Sequence, residues 1–380
     1  MKLIYLKGGE EMKKLLFLFL IVVFVFVSCN ESYISEKTIP AEKAIAKENT
    51  AVTSVPVLEK MTIPETVSVI GVGDMMLGSN YPSEKYLPQK NILENVEDIL
   101  KDANIVCGNY EGTFLDKGTT TKNCSECFSF RTPENYAKFL KGFTFISLAN
   151  NHSNDFGSEG CKNTIKSLTE NKISFAGLKG YPYSIVEKNG IKFGFCAFGP
   201  DEYSGIFHFS DASKIIKEAK KQCDVLIVNF HTGAEGQNAQ HVTRKTEYFL
   251  GENRGDPYHL AREAIDAGAD IVFMEGPHVT RAIDLYKNRF IAYSLGDFAT
   301  YGQFNTTGVY GIAPAIKVVV NSHGEFQKGY IYSIKLIDKG IPIVDKDKTV
   351  IKKIIELEKT DVPKAPLIIK DNGIIEKRSK

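Results

Sequence analysis

The chain has 380 residues, enough for one large or two medium domains, and its formal net charge at pH 7 is +1. Proteins that bind nucleic acid usually carry a strong basic excess, so this charge excludes a nucleic-acid partner. Hydrophobic residues make up 43% of the sequence, as in an ordinary globular protein.

The first 29 residues are typical of a bacterial export signal. Two lysines precede an apolar run at 15–27, and the small residue Ser28 stands before Cys29. This order describes a secretory signal peptide, and the run is shorter than the roughly 20 residues of a membrane-spanning helix. The end of the run, Phe26-Val27-Ser28-Cys29, resembles a lipobox and predicts lipidation at Cys29. A signal peptide without lipid, or an uncleaved anchor, is the alternative.

Two further predictions concern residues 1–64. We predict Met12 as the true start of translation, because the codons of Lys7-Gly8-Gly9-Glu10 can spell a ribosome-binding site. Residues 30–64 are rich in Glu, Lys, Ala, Thr and Pro, and such a segment cannot bury enough surface to offset its ordering entropy. We therefore expect a flexible tether that holds an exported, lipid-anchored body at the cell membrane or envelope.

Cys124 and Cys127 form a C-x-x-C motif inside a polar loop. Export permits disulfides, and no second pair follows at the spacing of a zinc site, so we expect a loop disulfide. A redox centre is the alternative. Cys107, Cys196 and Cys223 lie in or beside apolar strands and are predicted to be core residues.

From residue 67 onward, predicted strands alternate with predicted helices. The first strand, 67–72, is β-branched and closed by glycines, and it is predicted to run into a turn that carries Asp74. Helical spacing predicts helices at 92–100, 133–140, 158–171, 212–221 and 257–267. Further strands are predicted at 103–108, 143–148, 173–176, 184–197 (a hairpin), 224–230, 271–274, 282–294 (a hairpin), 312–320 and 327–337. Residues 341–380 are charged and are predicted to form a tail that frays at its end.

Five of these strands end in polar clusters, namely Asp74, Asn109/Glu111, Asn151/His152, His231/Glu235 and Glu275/His278. Each cluster alone has a structural explanation, such as a helix cap for an Asp or a surface position for a His. Together, at the carboxyl ends of strands, they predict a bound cation, because buried carboxylates are costly unless paired. Mixed oxygen and imidazole ligands suit one or two ions of Mn, Fe, Zn or Mg, which would clamp a phosphoryl group and activate water.

Six motifs in order carry a family resemblance: GDMMLG, GNYEGTF, SLANNHSNDFG, NFHTGAEG, EGPHV and IAYSLGDF. They resemble the CapA family of poly-γ-glutamate capsule synthesis proteins. The resemblance implies an α/β fold of the calcineurin-like metallophosphoesterase type, a β-sandwich flanked by helices, over residues 65–340.

The resemblance also implies roles for individual residues. His152 would face the substrate as an acid or an electrostatic stabiliser, with Asp74 as the second catalytic residue. Asn109, Glu235 and Arg131 would contact the substrate. The implied metal ligands are Asp74, Glu111, Asn151, His231, Glu275 and His278.

Two positions depart from the family pattern. Glu275 stands where the family commonly has His, and a carboxylate there favours harder ions and weakens or abolishes a second metal site. Asp297 stands where Asn is usual, and it either adds a negative charge near the site or caps a turn.

The resemblance implies a surface lipoprotein that acts in capsule or poly-γ-glutamate synthesis and export. Its expected partners are the membrane, an anionic polymer or a phosphorylated envelope substrate, and membrane-bound capsule synthesis machinery. Two alternatives stay open. One is an active metal-dependent phosphoesterase on an envelope component, and the other is a non-catalytic scaffold or polymer-binding protein with a degenerate metal site.

Overall fold

A computed structural model describes residues 65–122, 127–200 and 207–378. The predicted signal peptide, the lipidation site at Cys29, the tether and Cys124 lie outside these ranges. Within them, no helix has both the length and the apolar character needed to cross a bilayer. Cys127 is disulfide-bonded. The other described cysteines are free: Cys107, Cys161, Cys196 and Cys223.

The described residues form twenty strands and five α-helices. The first ten strands are β1 (Thr66–Met76), β2 (Ile105–Tyr110), β3 (Thr113–Phe114), β4 (Arg131–Thr132), β5 (Phe145–Ser147), β6 (Ser174–Ala176), β7 (Tyr183–Lys188), β8 (Ile191–Phe198), β9 (Val225–His231) and β10 (Tyr248–Phe249). The next ten are β11 (Glu252–Asn253), β12 (Ile271–Glu275), β13 (Ile283–Tyr286), β14 (Arg289–Ala292), β15 (Asp297–Thr300), β16 (Ile312–Asn321), β17 (Phe326–Ile337), β18 (Ile341–Val344), β19 (Leu367–Ile369) and β20 (Ile374–Lys377).

The α-helices are α1 (Glu97–Leu100), α2 (Gly157–Glu170), α3 (Ala212–Lys220), α4 (Pro257–Ala267) and α5 (Thr349–Asp361). Short 3₁₀ helices lie at Glu94–Val96, Glu134–Leu140, Phe209–Asp211, Gln237–Ala239 and Gly308–Gly311. The helix predicted at 133–140 is therefore a 3₁₀ helix, and the one predicted at 92–100 is a 3₁₀ turn followed by one turn of α-helix.

Two large sheets carry most of these strands. The larger has the order β19-β20-β17-β16-β1-β2-β5-β6, with β15 also beside β1 and β18 beside β17. The smaller has the order β13-β14-β12-β9-β8-β7. β1, β2, β5 and β6 run parallel in the first sheet, as do β8, β9, β12 and β14 in the second. Parallel strands present their carboxyl ends at one edge of a sheet, where ligands commonly bind.

The two sheets pack face to face through one apolar cluster that draws on both. Phe145 of β5 stacks on Phe195 of β8 with ring centroids 5.2 Å apart. Gly71 of β1 lets the Phe273 ring of β12 pack directly against the backbone, because a Cβ at Gly71 would lie 2.6 Å from that ring. Full burial of one such phenylalanine contributes about 1.5–3 kcal/mol.

Helices cover the outer faces of both sheets. α3 and α4 pack on the smaller sheet, and α2 with the 3₁₀ helices Glu94–Val96 and Glu134–Leu140 packs on the larger. The β-sandwich flanked by helices, in the α/β class, is thereby confirmed. The hairpin predicted between 184 and 197 is present as β7 and β8, and Asn189 and Gly190 both have the positive φ of a type I′ turn.

Residues 341–378 do not form a free charged tail, so that part of the prediction is wrong, and residues 379 and 380, at the end predicted to fray, lie outside the described residues. β18 and β20 pair with β17, and α5 contributes Val350, Ile351 and Ile354 to the core between the sheets. These aliphatic residues recur at helical spacing among the charges, so the segment is an amphipathic helix whose apolar side faces the core. Average composition concealed that periodicity.

Candidate metal centre

Asp74 lies inside β1, not in a turn after it. The strand continues to Met76 with a register shift beside Asp74, so the predicted turn is wrong. Gly73 instead lets the backbone at Gly296 pack closely against β1, because a Cβ at Gly73 would lie 1.9 Å from the Gly296 carbonyl oxygen. The Asp74 backbone N–H donates to that oxygen at 2.9 Å, and Asp74 pairs in register with Asp297.

Four of the predicted ligands come together where the parallel strands end. His278 Nδ1 lies 3.1 Å from Asp74 Oδ2 and 3.8 Å from Glu111 Oε2. His231 Nε2 lies 3.8 Å from Glu111 Oε1, and its Nδ1 lies 3.8 Å from Asp74 Oδ1. Asp74, His278 and Asp297 offer ligand atoms within 4.8 Å of one another.

The other two predicted ligands border this group. Glu275 ends β12 and stands in register with His231 of β9. Asn151 lines the cleft above the group, together with His278 and Asp297. His278 itself has φ +57°, a left-handed backbone that residues other than glycine rarely adopt and that is concentrated at functional sites.

Several buried ligand atoms at this centre have no hydrogen-bond partner among the described residues. They are both Glu111 carboxylate oxygens, Asn151 Oδ1, His231 Nε2, Glu275 Oε1 and Asp297 Oδ2. An unpaired buried polar atom costs about 1–3 kcal/mol, and more when it is charged. Carboxylate oxygen, amide oxygen and imidazole nitrogen are together the donor set of Mn, Fe, Zn or Mg. The residues present therefore fit one or two divalent ions.

The buried acidic groups at this centre repel each other. Burial raises the pKa of Glu111 well above its usual value; His278 opposes this shift and the Asp74 carboxylate adds to it. Burial likewise raises the pKa of Glu275, again with a contribution from Asp74. Such shifts show a low-dielectric site with an excess of negative charge, which is the environment that binds a divalent cation.

The two histidines respond to this environment in opposite ways. Burial lowers the pKa of His231 to about 3, so its ring is neutral, as a metal ligand must be. Burial also disfavours the charged form of His278, but the Glu111 and Asp297 carboxylates hold its pKa well above its usual value. A metal ion at this position would supply the positive charge that the proton on His278 otherwise supplies.

Asn109 is a positioning group, so the prediction that it contacts substrate is wrong. It is fully buried, its Nδ2 donates to Asp74 Oδ1 at 2.8 Å, and its Oδ1 accepts from Asn150 Nδ2 at 2.9 Å. Asn229, which the sequence analysis missed, does the same for Glu275 and donates to Oε2 at 2.7 Å. Its place two residues before His231 on β9 puts both side chains on one face of the sheet, a signal that could have found it.

His152 stands at the edge of the centre with its Nε2 atom 3.9 Å from Glu111 Oε1. Its Nδ1 lies 2.8 Å from Asp155 Oδ2, and because a carboxylate accepts, we assign the proton to Nδ1. Lys122 Nζ lies 2.6 Å from Asp155 Oδ1 and 3.1 Å from the His152 ring. Burial lowers the pKa of His152, with Asp155 acting against the shift. Asp155 and Lys122 were both missed from sequence.

The remaining predicted contacts separate into one inside the cleft and one outside it. Glu235 Oε2 lies 3.8 Å from His278 Nε2, and its Oε1 pairs with Arg254 Nη2 at 3.0 Å. Arg131 is turned away from the cleft: it donates to Asn80 Oδ1 at 2.6 Å and to the Gly118 carbonyl. The guanidinium thus holds the neighbouring loop, and the contact of Arg131 with substrate stays a prediction.

A model of the family described as "Bacterial capsule synthesis protein PGA_cap" matches residues 68–301. Capsule biosynthesis protein CapA of Bacillus anthracis is 29% identical over 261 residues, which cover 62% of this chain and 60% of that protein. PGA biosynthesis protein CapA of Bacillus subtilis (strain 168) is 29% identical over 257 residues, which cover 62% and 63%. The chain thus spans less than two thirds of the length of these relatives.

Among solved structures, a novel phosphatase from Mycoplasma pneumoniae is similar with a TM-score of 0.44 and 15% identity. The superposition covers 71% of this chain and 94% of that one. At this identity the likeness concerns the fold alone.

Proposed function

Because the chain belongs to the PGA_cap family of bacterial capsule synthesis proteins, we propose that it is a metal-dependent phosphoesterase acting in the assembly of an envelope polymer. The observation that carries the proposal is a set of buried ligand atoms that have no hydrogen-bond partner within residues 65–122, 127–200 and 207–378, at Glu111, Asn151, His231 and Glu275. Family membership supports the biological setting, and the donor set supports the chemistry.

In the proposed chemistry, the metal ion and the protein side chains have separate roles. A bound divalent ion would polarise a phosphoryl oxygen and lower the pKa of a bound water. Asp74, His231 and the other ligands would hold it. His152, whose Nε2 atom is unprotonated when Nδ1 carries the proton, would take a proton from the attacking water at Nε2 and pass it to the leaving oxygen, while Asp155, bound to Nδ1, would stabilise the charged ring.

The cellular setting is part of the proposal. We place the protein outside the cytoplasm, held at the membrane by a lipid on Cys29, with membrane-bound capsule synthesis machinery beside it. Its substrate would be a phosphorylated envelope component or an intermediate of an anionic polymer. Labelling of cells with a radioactive fatty acid checks the anchor: the wild-type chain should incorporate label, and Cys29→Ser should not.

Glu275 favours a second candidate function, that of a scaffold or polymer-binding protein. It places a third buried carboxylate beside Asp74 and Glu111, and both act to raise its pKa. A centre with this charge could retain one hard ion for structural purposes and lack the pair of ions that a phosphoesterase uses.

Metal analysis and turnover decide between the two. The full-length chain, purified in mild detergent, should bind at least one divalent ion and hydrolyse bis-p-nitrophenyl phosphate with one metal of a Mn, Fe, Zn and Mg panel. Less than one ion per chain, together with no turnover across the panel, would refute the enzyme. His259→Ala is the matched control, since this histidine is exposed and contacts its own helix cap, Asp256, and the Tyr258 ring.

A further inference from the structure

Three phenylalanines form a row that leads from the protein surface to the metal centre. Phe130 stacks on Phe128 with ring centroids 6.2 Å apart and on Phe304 with centroids 5.0 Å apart. The inner end of this phenylalanine row meets both histidines, because Phe130 lies 4.3 Å from the His152 ring and Phe304 lies 5.4 Å from the His278 ring. The row lines a cavity of about 310 Å³.

The row is not simply an extension of the hydrophobic core. Phe128 is 57% exposed, whereas Phe130 behind it is only 3% exposed. The Phe130 backbone N–H donates to Asp155 Oδ2 at 2.7 Å, so the row is fixed to the same carboxylate that orients His152. A ring held rigidly beside a reactive centre, with another ring exposed at its outer end, offers a preformed face for a ligand.

The other walls of the cavity are polar. Gln303 and Tyr310 line it, and Gln303 Oε1 is a buried acceptor with no partner in the described part of the chain. Two positive groups border the space, and each is already paired with a carboxylate. Lys122 Nζ, which donates to the Phe128 carbonyl at 3.0 Å, lies 2.6 Å from Asp155 Oδ1, and His278 Nδ1 lies 3.0 Å from Asp297 Oδ1. Among the described residues beside the row, no positive group is therefore left unpaired for a negatively charged leaving group.

We propose that the phenylalanine row is the leaving-group subsite, and that the substrate is a phosphoester of an uncharged alcohol that carries a flat ring. The inference rests on the proposed function, because the metal centre must hold the phosphoryl end. The ring stacks along Phe128 and Phe130 while the ester oxygen lies near His152. In the reaction, water oxygen bonds to phosphorus and the phosphorus–oxygen bond to the alcohol breaks. One proton of the water passes through His152 Nε2 to the leaving alcohol oxygen, and the other stays on the phosphate.

Non-hydrolysable phosphonates separate binding by the row from catalysis. The probes are benzylphosphonate, n-propylphosphonate and 4-carboxybenzylphosphonate, titrated by calorimetry into the metal-loaded full-length chain. Benzylphosphonate should bind about threefold to tenfold more tightly than n-propylphosphonate, the range set by one aromatic pair. The 4-carboxy probe should bind more weakly than benzylphosphonate, because its carboxylate loses water beside the rings and finds no unpaired positive group there.

Phe128→Ala should remove most of the preference for benzylphosphonate and leave the affinity for n-propylphosphonate unchanged. Phe128→Tyr keeps an aromatic face and should keep the preference. Because Phe128 is exposed and belongs to no metal ligand set, an unchanged affinity for n-propylphosphonate also reports an intact fold.

The outcomes distinguish this inference from the function on which it rests. Equal affinity for the benzyl and propyl probes, or a preference that survives Phe128→Ala, would overturn the subsite while leaving the phosphoryl site standing. A preference without hydrolysis of benzyl phosphate would refute catalysis and uphold the subsite. No binding of any probe would refute both.

Discussion

Replacing Asp74 with Asn tests whether this residue holds a metal or only supports the fold. The substitution keeps the shape of the side chain and the acceptor for Asn109, which lies 2.8 Å away, but removes the charge. In the metal-free protein we expect a small effect, because the lost attraction to His278 is offset by less repulsion from Glu111 and Glu275.

In the metal-loaded protein the effect should be much larger. A ligand at a hundred times its Kd stabilises the native state by about 2.7 kcal/mol. We take the loss of one carboxylate ligand to weaken metal binding about a hundredfold, which is the upper end of the effect of mutating residues that only support a ligand. At the same metal concentration, the bound metal then stabilises the native state by only about 0.4 kcal/mol. The expected loss is therefore about 2.3 kcal/mol.

Thermal unfolding of the full-length chain, with MnCl2 and with EDTA, measures this difference. At roughly 2 °C per kcal/mol for a body of this size, Asp74→Asn should lower Tm by about 5 °C with metal and by far less in EDTA. His259→Ala should show no metal-dependent change. Equal losses of stability in the two conditions would show Asp74 to be structural and would refute the reasoning.

Three further predictions concern groups around the centre. Asn109→Ala should weaken metal binding about 10-fold to 100-fold by calorimetry, because the residue orients Asp74; unchanged affinity would contradict that role. Glu275→His replaces a hard ligand by a softer one and should shift the preference from Mg or Mn toward Zn in competition experiments. Arg281→Met should cost about 3–5 kcal/mol in denaturant unfolding, since it leaves Glu247 buried without the guanidinium that donates to both of its oxygens at 3.1 and 2.7 Å. The double variant with Glu247→Leu should recover most of that loss, and a failure to recover would point to packing instead of charge.

The strand-end argument found the centre because it depends on local order alone. A short apolar run followed by an acid or a histidine is visible at Asp74, Glu111, His231 and His278. Parallel strands then bring these positions to one edge whatever the details of packing. The same argument included Asn151 and Glu275, which border the centre, and the resemblance to a known family assigned them as metal ligands.

Packing between distant segments determines contacts that the sequence does not reveal. Arg131 was predicted to contact substrate, and its Nε and Nη1 atoms donate to Asn80 and to the Gly118 carbonyl. Lys122 and His152 are 30 residues apart, and only the fold of the intervening loop brings the ammonium to Asp155. The direction of a side chain and the course of the backbone between distant residues do not follow from a short stretch of sequence. The contacts of Arg131 and Lys122 therefore could not be predicted.

Residue order alone was enough for the class of fold, the edge at which the site lies and the types of ligand atom it offers. Hydrophobic periodicity and the residues that end each strand carry that information, because both depend on neighbours in sequence. The three-dimensional arrangement decided how the site is supported. Asn109 became a positioning group, Asp297 became a neighbour of the centre, and Phe128, Phe130 and Phe304 aligned beside it. These outcomes depend on contacts between segments tens to hundreds of residues apart, whose distances follow only from how the two sheets pack.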